Sequence, residues 1–371
     1  MIRNVLITGG AGFIGSHLAD ELLESGYRVR VLDSLSPQVH GESGTRPEYL
    51  SPRVDLMVGD IRDPQTIARS LDGIDAVYHF AARVGVGQSM YEIHDYVDVN
   101  DTGTAVLLQE LIKHPVQRLI VASSMSVYGE GLYKDQDGNL IENQKRSVPP
   151  GSTVWDPLDA LGRPLEPIPT PESKQPALAS VYALGKYVQE RMCLMVGKTY
   201  DIPTVALRFF NAYGTRQALS NPYTGVLAIF ASRLLNDQPP VIFEDGLQRR
   251  DFVHVADVVR SCLLSLEGEE APGNVFNIGS GNSVTIKEIA QRVAGVMNKG
   301  HIKPQITGKH RVGDIRHCFA DITLAKTILQ YEPQVDLNDG LLELALWLAD
   351  QKAEDRYETM TRELENRGLT V

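Results

Sequence analysis

Tyr182 and Lys186 stand four residues apart in Tyr182-Ala183-Leu184-Gly185-Lys186. That spacing puts both side chains on one face of a helix. An ammonium beside a phenol favours the phenolate and lowers a pKa that is ordinarily about 10. The pair therefore predicts a base that works near neutral pH. Far upstream lies Gly9-Gly10-Ala11-Gly12-Phe13-Ile14-Gly15, between a predicted strand and a predicted helix. Gly9, Gly12 and Gly15 let the backbone turn tightly and approach a pyrophosphate, which a helix N-terminus favours electrostatically. The two motifs together point to proton removal from a hydroxyl coupled to hydride transfer to a nicotinamide. Ser124, in Ser123-Ser124-Met125-Ser126-Val127-Tyr128-Gly129, leaves the fifth predicted strand and could share the reacting proton with Tyr182.

These residues need a scaffold, and the first half of the chain supplies its rhythm. Short apolar runs at 5–7, 29–32, 54–58, 76–79 and 119–122 read as buried parallel strands. Helical patterns fall between them at 13–26, 64–71 and 92–113, and a helix over 179–199 precedes a strand over 202–208. This is the βαβ alternation of a doubly wound, Rossmann-type parallel sheet. We expect a dinucleotide-binding domain over 1–211 and a smaller α/β substrate domain over 212–371, some of whose segments return to the first. A proline-rich insertion near 130–177 interrupts the first domain, with Pro149, Pro150, Pro157, Pro164, Pro167, Pro169, Pro171 and Pro176 in or beside it; a lid or rim is one reading, a surface insertion the other. The stretch 340–369 reads as one charged amphipathic helix.

Asp33 ends the second strand, placed to accept from ribose hydroxyls. A carboxylate there repels a 2′-phosphate, and Ser34 follows it, so NAD is expected over NADP. Asp60 and Ile61 after the third strand, and Phe80, Ala81 and Ala82 after the fourth, occupy the strand ends where such sheets bind ligands. Gln88 and Ser89, in the segment after the fourth strand, are candidates for contacts to substrate hydroxyls.

The composition removes other classes. A net charge of −11 across 371 residues argues against a nucleic-acid surface and against adsorption to anionic membranes. Three scattered cysteines, Cys193, Cys262 and Cys318, suit a reducing compartment and no disulfide framework. His79 and His254 lack metal-ligand spacing and read as structural, so no metal is expected. With no signal peptide and no apolar run of spanning length, the expected location is the cytoplasm.

The glycine turn, the acidic strand end, the serine and the Tyr/Lys pair occur in an order that resembles, nearly end to end, the extended short-chain dehydrogenases/reductases of the NAD-dependent epimerase/dehydratase family. The resemblance implies Ser124, Tyr182 and Lys186 as the catalytic residues, Ser124 lying three residues before Val127-Tyr128-Gly129. It adds Asn100 to the cofactor site. It assigns Asn211 and Arg250 to the substrate diphosphate, Arg311 and Asp314 to a phosphate and the nucleotide ribose, and Cys318 to the gating of pocket size. Members that eliminate water carry an Asp-Glu pair after the catalytic Ser/Thr, whereas this chain has Met125 and Ser126. What remains is oxidation and re-reduction at one carbon, as in the 4-epimerases. Segments 32–38, 86–91 and 215–223 resemble the branch acting on dTDP-linked 6-deoxy-L-hexoses. A UDP-glucose or UDP-N-acetylglucosamine 4-epimerase is the alternative, and a non-catalytic NAD-sensing protein a more distant one. The family also implies a homodimer through helices 92–113 and 179–199.

Overall fold

The computed structural model describes residues 2–144, 146, 154–223, 225–311 and 313–370. Pro149 and Pro150 of the insertion lie outside the described residues.

Seven parallel strands form the central sheet: β1 (Asn4–Thr8), β2 (Arg28–Asp33), β3 (Asp55–Val58), β4 (Ala76–His79), β5 (Arg118–Ser124), β6 (Thr204–Phe209) and β7 (Val275–Ile278). Their spatial order is β7-β6-β5-β4-β1-β2-β3, so the winding reverses between β1 and β4. Each strand is apolar along its length because both faces of the sheet are covered. Val5, Ile7 and Val31 point into one core cluster, with α1 (Phe13–Glu24) above them. Leu6, Leu32 and Val77 point into the other, with Leu71 of α2 (Pro64–Leu71), Leu107 of α3 (Gly103–Lys113) and Cys193 of α4 (Val181–Thr199).

β7 comes from the second half of the chain. It pairs with β6 from Val275↔Ala206 to Ile278↔Phe209. The second half also sends Val258 and Cys262 of α6 (Val255–Glu267) into the first-face core cluster. The chain thus crosses between lobes more than once. The second lobe gathers its own core from α5 (Val226–Leu235), α7 (Ile286–Val296) and α8 (Leu337–Leu348), where Phe230, Leu234, Ile289, Val293, Leu341 and Leu344 are buried.

Three segments depart from the sequence expectation. The helix expected over 92–113 is divided: Ile93–Tyr96 is α-helical, Val97–Thr102 winds as a π-helix, and α3 follows. Within the wide turn, Asn100 clasps the Arg83 backbone and Thr104 Oγ1 donates to the Asn100 carbonyl. Such bonds compete with the regular helical ladder. The stretch 340–369 is not one helix. α8 ends at Leu348, and α9 (Tyr357–Asn366) starts afresh. Tertiary contacts hold the connection extended: Asn236 Nδ2 donates to Ala353 O, Glu354 N donates to Ser220 Oγ, and Arg233 pairs with Asp355. The insertion, aperiodic in sequence, holds a small antiparallel sheet in which Leu132–Lys134 lies between Leu140–Ile141 and Glu166–Ile168.

The insertion is fastened to the second lobe. Arg316, fully buried, binds Asp156 of the insertion as well as Glu244 and Asp245. Arg146 pairs with Glu244 and donates to the Asp314 carbonyl. A buried guanidinium demands such partners. Among the described residues no helix is long and apolar enough to cross a membrane.

Candidate active site

The glycine turn sits at the C-terminal edge of β1, beside the reversal of winding where doubly wound sheets bind ligands. Gly9 has φ +70°, and a Cβ there would meet Ala81 N at 2.8 Å. The Phe80-Ala81-Ala82 segment after β4 therefore packs directly against the turn. Gly15 is required by packing, since its Cβ would lie 2.6 Å from Gly10 Cα. Gly10 itself leaves no room against Val31, with a contact at 2.6 Å; sequence reasoning had passed over it. Gly12 differs. Its φ of −74° suits any residue, and a Cβ would meet only Gly9 O at 3.4 Å. Gly12 is also the N-cap of α1 and offers no side-chain cap. An open backbone surface with uncapped N–H groups suits a pyrophosphate, and Phe13 and Ile14 open the helix behind it.

Asp33 is held at the turn by backbone donors. One carboxylate oxygen accepts from Ala11 N at 3.0 Å and the other from Leu35 N at 2.9 Å, and His40 lies 3.7 Å away. Asp60 is gripped by Arg62, whose hydrogen bonds lower its pKa. Ile61 is buried beside Gly103. Asn100 is buried, with both amide atoms spent on the Arg83 backbone. It shapes the loop after β4.

The catalytic candidates converge at the end of β5 and the start of α4. Ser180 caps α4 by accepting from Ala183 N. Tyr182 N donates to Ser89 Oγ at 3.0 Å, which fixes the first turn of the helix. Ser124 and Tyr182 both line the catalytic end of the cavity, close enough for Ser124 to lower the phenol's pKa by hydrogen bonding. Ser126 donates to Ser124 Oγ at 2.9 Å from its hydroxyl. The expected electrostatics need correction. Burial raises the Tyr182 pKa, and the Ser124 hydrogen bond is the contribution that lowers it. Lys186 is turned to the Ala122 carbonyl, 3.0 Å away, and burial pushes its own pKa down to about 8. Desolvation is the largest cause at both groups.

A cavity of about 340 Å³ opens between the lobes. Ser124, Met125, Ser126 and Tyr182 line its catalytic end, together with Val84, Gly85, Val86, Gly87 and Met90. Asn211, Arg250, Arg311, Gly313 and Asp314 line it too, with Ile242 and Phe243; Val312 lies outside the described residues. Asn211 Oδ1 is buried without a partner among the described residues, as expected of a group reserved for a ligand. Arg311 stacks 4.7 Å from the Phe243 ring and pairs with Asp314 at 3.0 Å. Arg250 donates to the carbonyls of Arg249, Arg316 and Ile315. It secures the chain on either side of the cavity as well as presenting charge to it.

Three expected substrate residues do not reach this cavity. Ser89 is fully buried and donates to Val86 O. Gln88 accepts from Gln38 and Tyr96. Both lie on the inner side of the short helix Val86–Ser89, which turns Val86, Gly87 and the following Met90 outward. Cys318 is fully buried near Thr170. The sequence reading also missed Tyr357, Met360, Leu364 and Leu369, which line the cavity from α9 and the chain after it. Their spacing of three, four and five residues was a legible apolar stripe, concealed within a charged segment. His79 bonds Thr8 and Thr104, and the described residues hold no metal-ligating cluster.

The profile of the NAD dependent epimerase/dehydratase family matches residues 5–152 and 159–279. A dTDP-L-rhamnose 4-epimerase of Burkholderia thailandensis is 33% identical over 360 residues, spanning 94% of this chain and 96% of that one. A putative UDP-glucose 4-epimerase of Methanocaldococcus jannaschii is 30% identical, spanning 93% and 98%. Among solved structures, the UDP-glucose 4-epimerase of Thermotoga maritima with UDP-glucose superposes with a TM-score of 0.76 at 32% identity, covering 94% of this chain and 99% of that chain.

Proposed function

The chain belongs to the NAD-dependent epimerase/dehydratase family and is an NAD-dependent nucleotide-sugar epimerase, and from that premise we propose that it inverts C4 of dTDP-L-rhamnose, interconverting it with dTDP-6-deoxy-L-talose. The observation that carries this reading is the distribution of polarity in the cavity. Among the described residues its cationic side chains are Arg250 and Arg311, and Asp314 and Asn211 also line it. The catalytic end pairs Ser124 and Tyr182 with Val84, Val86, Met90 and Met125. A diphosphate suits guanidinium groups, and a 6-deoxy sugar presents a methyl group where a uronate would demand a cation. Sequence similarity to the Burkholderia relative supports the same substrate.

Tyr182 takes the proton from the C4 hydroxyl, and Ser124, beside it, holds the reacting oxygen. NAD, when bound, accepts the hydride and returns it. It would be held by Gly9, Gly12 and Gly15, by Asp33 at its ribose and by Lys186 near the nicotinamide ribose. Met125 and Ser126 supply no carboxylate beside Ser124, so water is not eliminated and the 4-keto sugar remains to be reduced again. For inversion, the sugar must turn between oxidation and reduction while the diphosphate stays gripped. The arginines and Asn211 provide that anchor at a distance from the chemistry.

A UDP-hexose substrate is the second reading, supported by the likeness to the Thermotoga enzyme. Proton NMR of the protein with dTDP-L-rhamnose and no added cofactor separates them. A growing 6-deoxy-talose spin system is expected. No change even with added NAD, alongside interconversion of UDP-glucose and UDP-galactose, would replace the first reading by the second.

We also propose a homodimer. Val97 and Ile112 on the divided helix, and Leu184 and Met195 on α4, are exposed apolar side chains at 40, 39, 44 and 62%. Sedimentation at micromolar protein is expected to give twice the mass of the chain.

A further inference from the structure

Helix α9 sits far along the chain from every catalytic residue, yet it walls the cavity. Met360 and Leu364 are buried at 3 and 2% exposure, although the helix is otherwise charged. Both line the cavity, as do Tyr357 before them and Leu369 after them. The two ends of α9 touch different parts of the site. Tyr357 lies near Arg311, and its ring carries Arg233 at 4.6 Å. Leu364 reaches the loop after β4, where a Cβ on Gly87 would lie 3.4 Å from its methyl carbon. The helix therefore lies between Arg311 and the loop beside Tyr182.

A polar latch holds it there. One Glu363 oxygen accepts from the Tyr91 hydroxyl at 2.9 Å and from the Tyr223 hydroxyl at 2.6 Å, and the two phenols also touch each other. Arg367 covers the Tyr91 ring at 4.2 Å. Lys309 pairs with Glu365 at 2.9 Å, and Thr370 forms a β-bridge with Arg311. Tyr91 follows Met90, and Tyr223 follows Pro222; both of those neighbours line the cavity. The latch thus joins three segments of the cavity wall. An isolated helix of ten residues is marginal in water, so its position depends on these contacts.

We propose that α9 is the specificity wall of the substrate site: Leu364 and Met360 set the size of sugar admitted, and Glu363 is a positioning residue that keeps them in place. The inference rests on the cavity being the nucleotide-sugar site, and it reaches residues that the reaction chemistry does not require. A compact deoxy sugar fits beside Leu364, whereas an N-acetylated hexose meets its side chain.

The test compares kcat and KM for dTDP-L-rhamnose and UDP-N-acetylglucosamine in the wild type and three variants. Leu364→Ala is expected to move the ratio of the two kcat/KM values toward the N-acetyl sugar by about tenfold, the size expected for a few methylenes in a pocket. Glu363→Ala is expected to raise KM for dTDP-L-rhamnose by about tenfold, through loss of two hydrogen bonds to a charged group, with little change in kcat. Glu363→Gln, which keeps an acceptor oxygen for both phenols, is expected to restore KM. Unchanged ratios and KM values in active variants overturn the wall while leaving the epimerase intact. A wild type that turns over neither sugar fails the substrate reading instead. In that case tryptic cleavage after Arg362 and Arg367, both exposed, decides the matter with UDP and dTDP as probes. Slower cleavage on adding either nucleotide supports α9 as a wall of the site, and unchanged cleavage with measured nucleotide binding overturns it.

Discussion

The two ends of the active site are built on different principles. At the cofactor end, backbone does the shaping. Gly9, Gly10 and Gly15 are fixed by contacts within the protein, Ala81 presses on the turn, and Asp33 is the acidic side chain held beside it. These parts lie close to the ends of neighbouring strands, so the parallel sheet itself sets their spacing. At the substrate end, side chains from five separate segments converge: the loop after β4, Asn211 after β6, Arg250, Arg311 with Asp314, and α9. Their positions depend on salt bridges such as Arg316 with Glu244 and on the insertion that Arg316 grips through Asp156. A backbone-built site tolerates few local changes. A side-chain-built wall can be altered residue by residue without disturbing the sheet, and the proposed determinants of substrate preference lie there.

The largest expected effect falls where the two ends meet. Tyr182→Phe removes the proposed acid–base group and is expected to lower kcat by roughly 10²–10⁴-fold, the usual weight of general acid–base catalysis. Circular dichroism and melting temperature are expected to stay near those of the wild type; normal turnover would end the proposed mechanism.

Next come two glycines that separate packing from binding. Gly15→Ala forces a Cβ to within 2.6 Å of Gly10 and is expected to cost about 1–3 kcal/mol in stability, as overpacking does. Gly12→Ala has space within the protein and is expected to leave the melting temperature nearly unchanged while weakening NAD binding. Titration calorimetry with NAD checks the second half of this contrast. Equal destabilisation in both variants would remove the distinction drawn between those glycines.

Arg311→Ala probes the side-chain end. Loss of a charge-assisted hydrogen bond, worth about 1.5–3 kcal/mol, is expected to raise KM by roughly 10–100-fold with kcat little altered. If kcat fell instead, Arg311 would belong to the chemistry and not to the anchor.

The smallest effect concerns proton balance. Burial raises the Tyr182 pKa and the Ser124 hydrogen bond lowers it. The base form of Tyr182 therefore grows as pH rises, and removing the Ser124 hydroxyl makes ionisation harder. In Ser124→Ala the rising limb of log kcat/KM against pH is expected to move to higher pH. A limb that stayed in place or moved lower would show that Ser124 does not favour the phenolate.

The parallel strands and the glycine turn were legible because their determinants are local. Val5-Leu6-Ile7 is apolar at every position because both faces are covered, and Gly9 occupies a left-handed φ in a turn whose residues are adjacent in sequence. Asp33 was legible for the same reason, being the last residue of a short strand. The phenol and ammonium of Tyr182 and Lys186 were legible as a pair, but their charges were not, because burial overrode the effect expected from spacing alone.

Tertiary structure decided what sequence spacing could not. Gln88 and Val86 are two residues apart, yet the rotation of a one-turn helix buries the first and presents the second to the cavity. β7 joins a sheet whose other strands end by residue 209 because an edge of that sheet still lacks a partner. The stretch after Leu348 unwinds because its backbone groups find partners on Asn236 and Ser220, which lets α9 lie across the cavity. Sequence by itself determined the parallel strands, the glycine turn and the pairing of Tyr182 with Lys186 on one helix, since strand period, helix period and glycine conformation act over a few residues. Which side chains face one another across the cavity was decided by packing between segments hundreds of residues apart, where the burial of apolar faces and the pairing of buried charges are settled together.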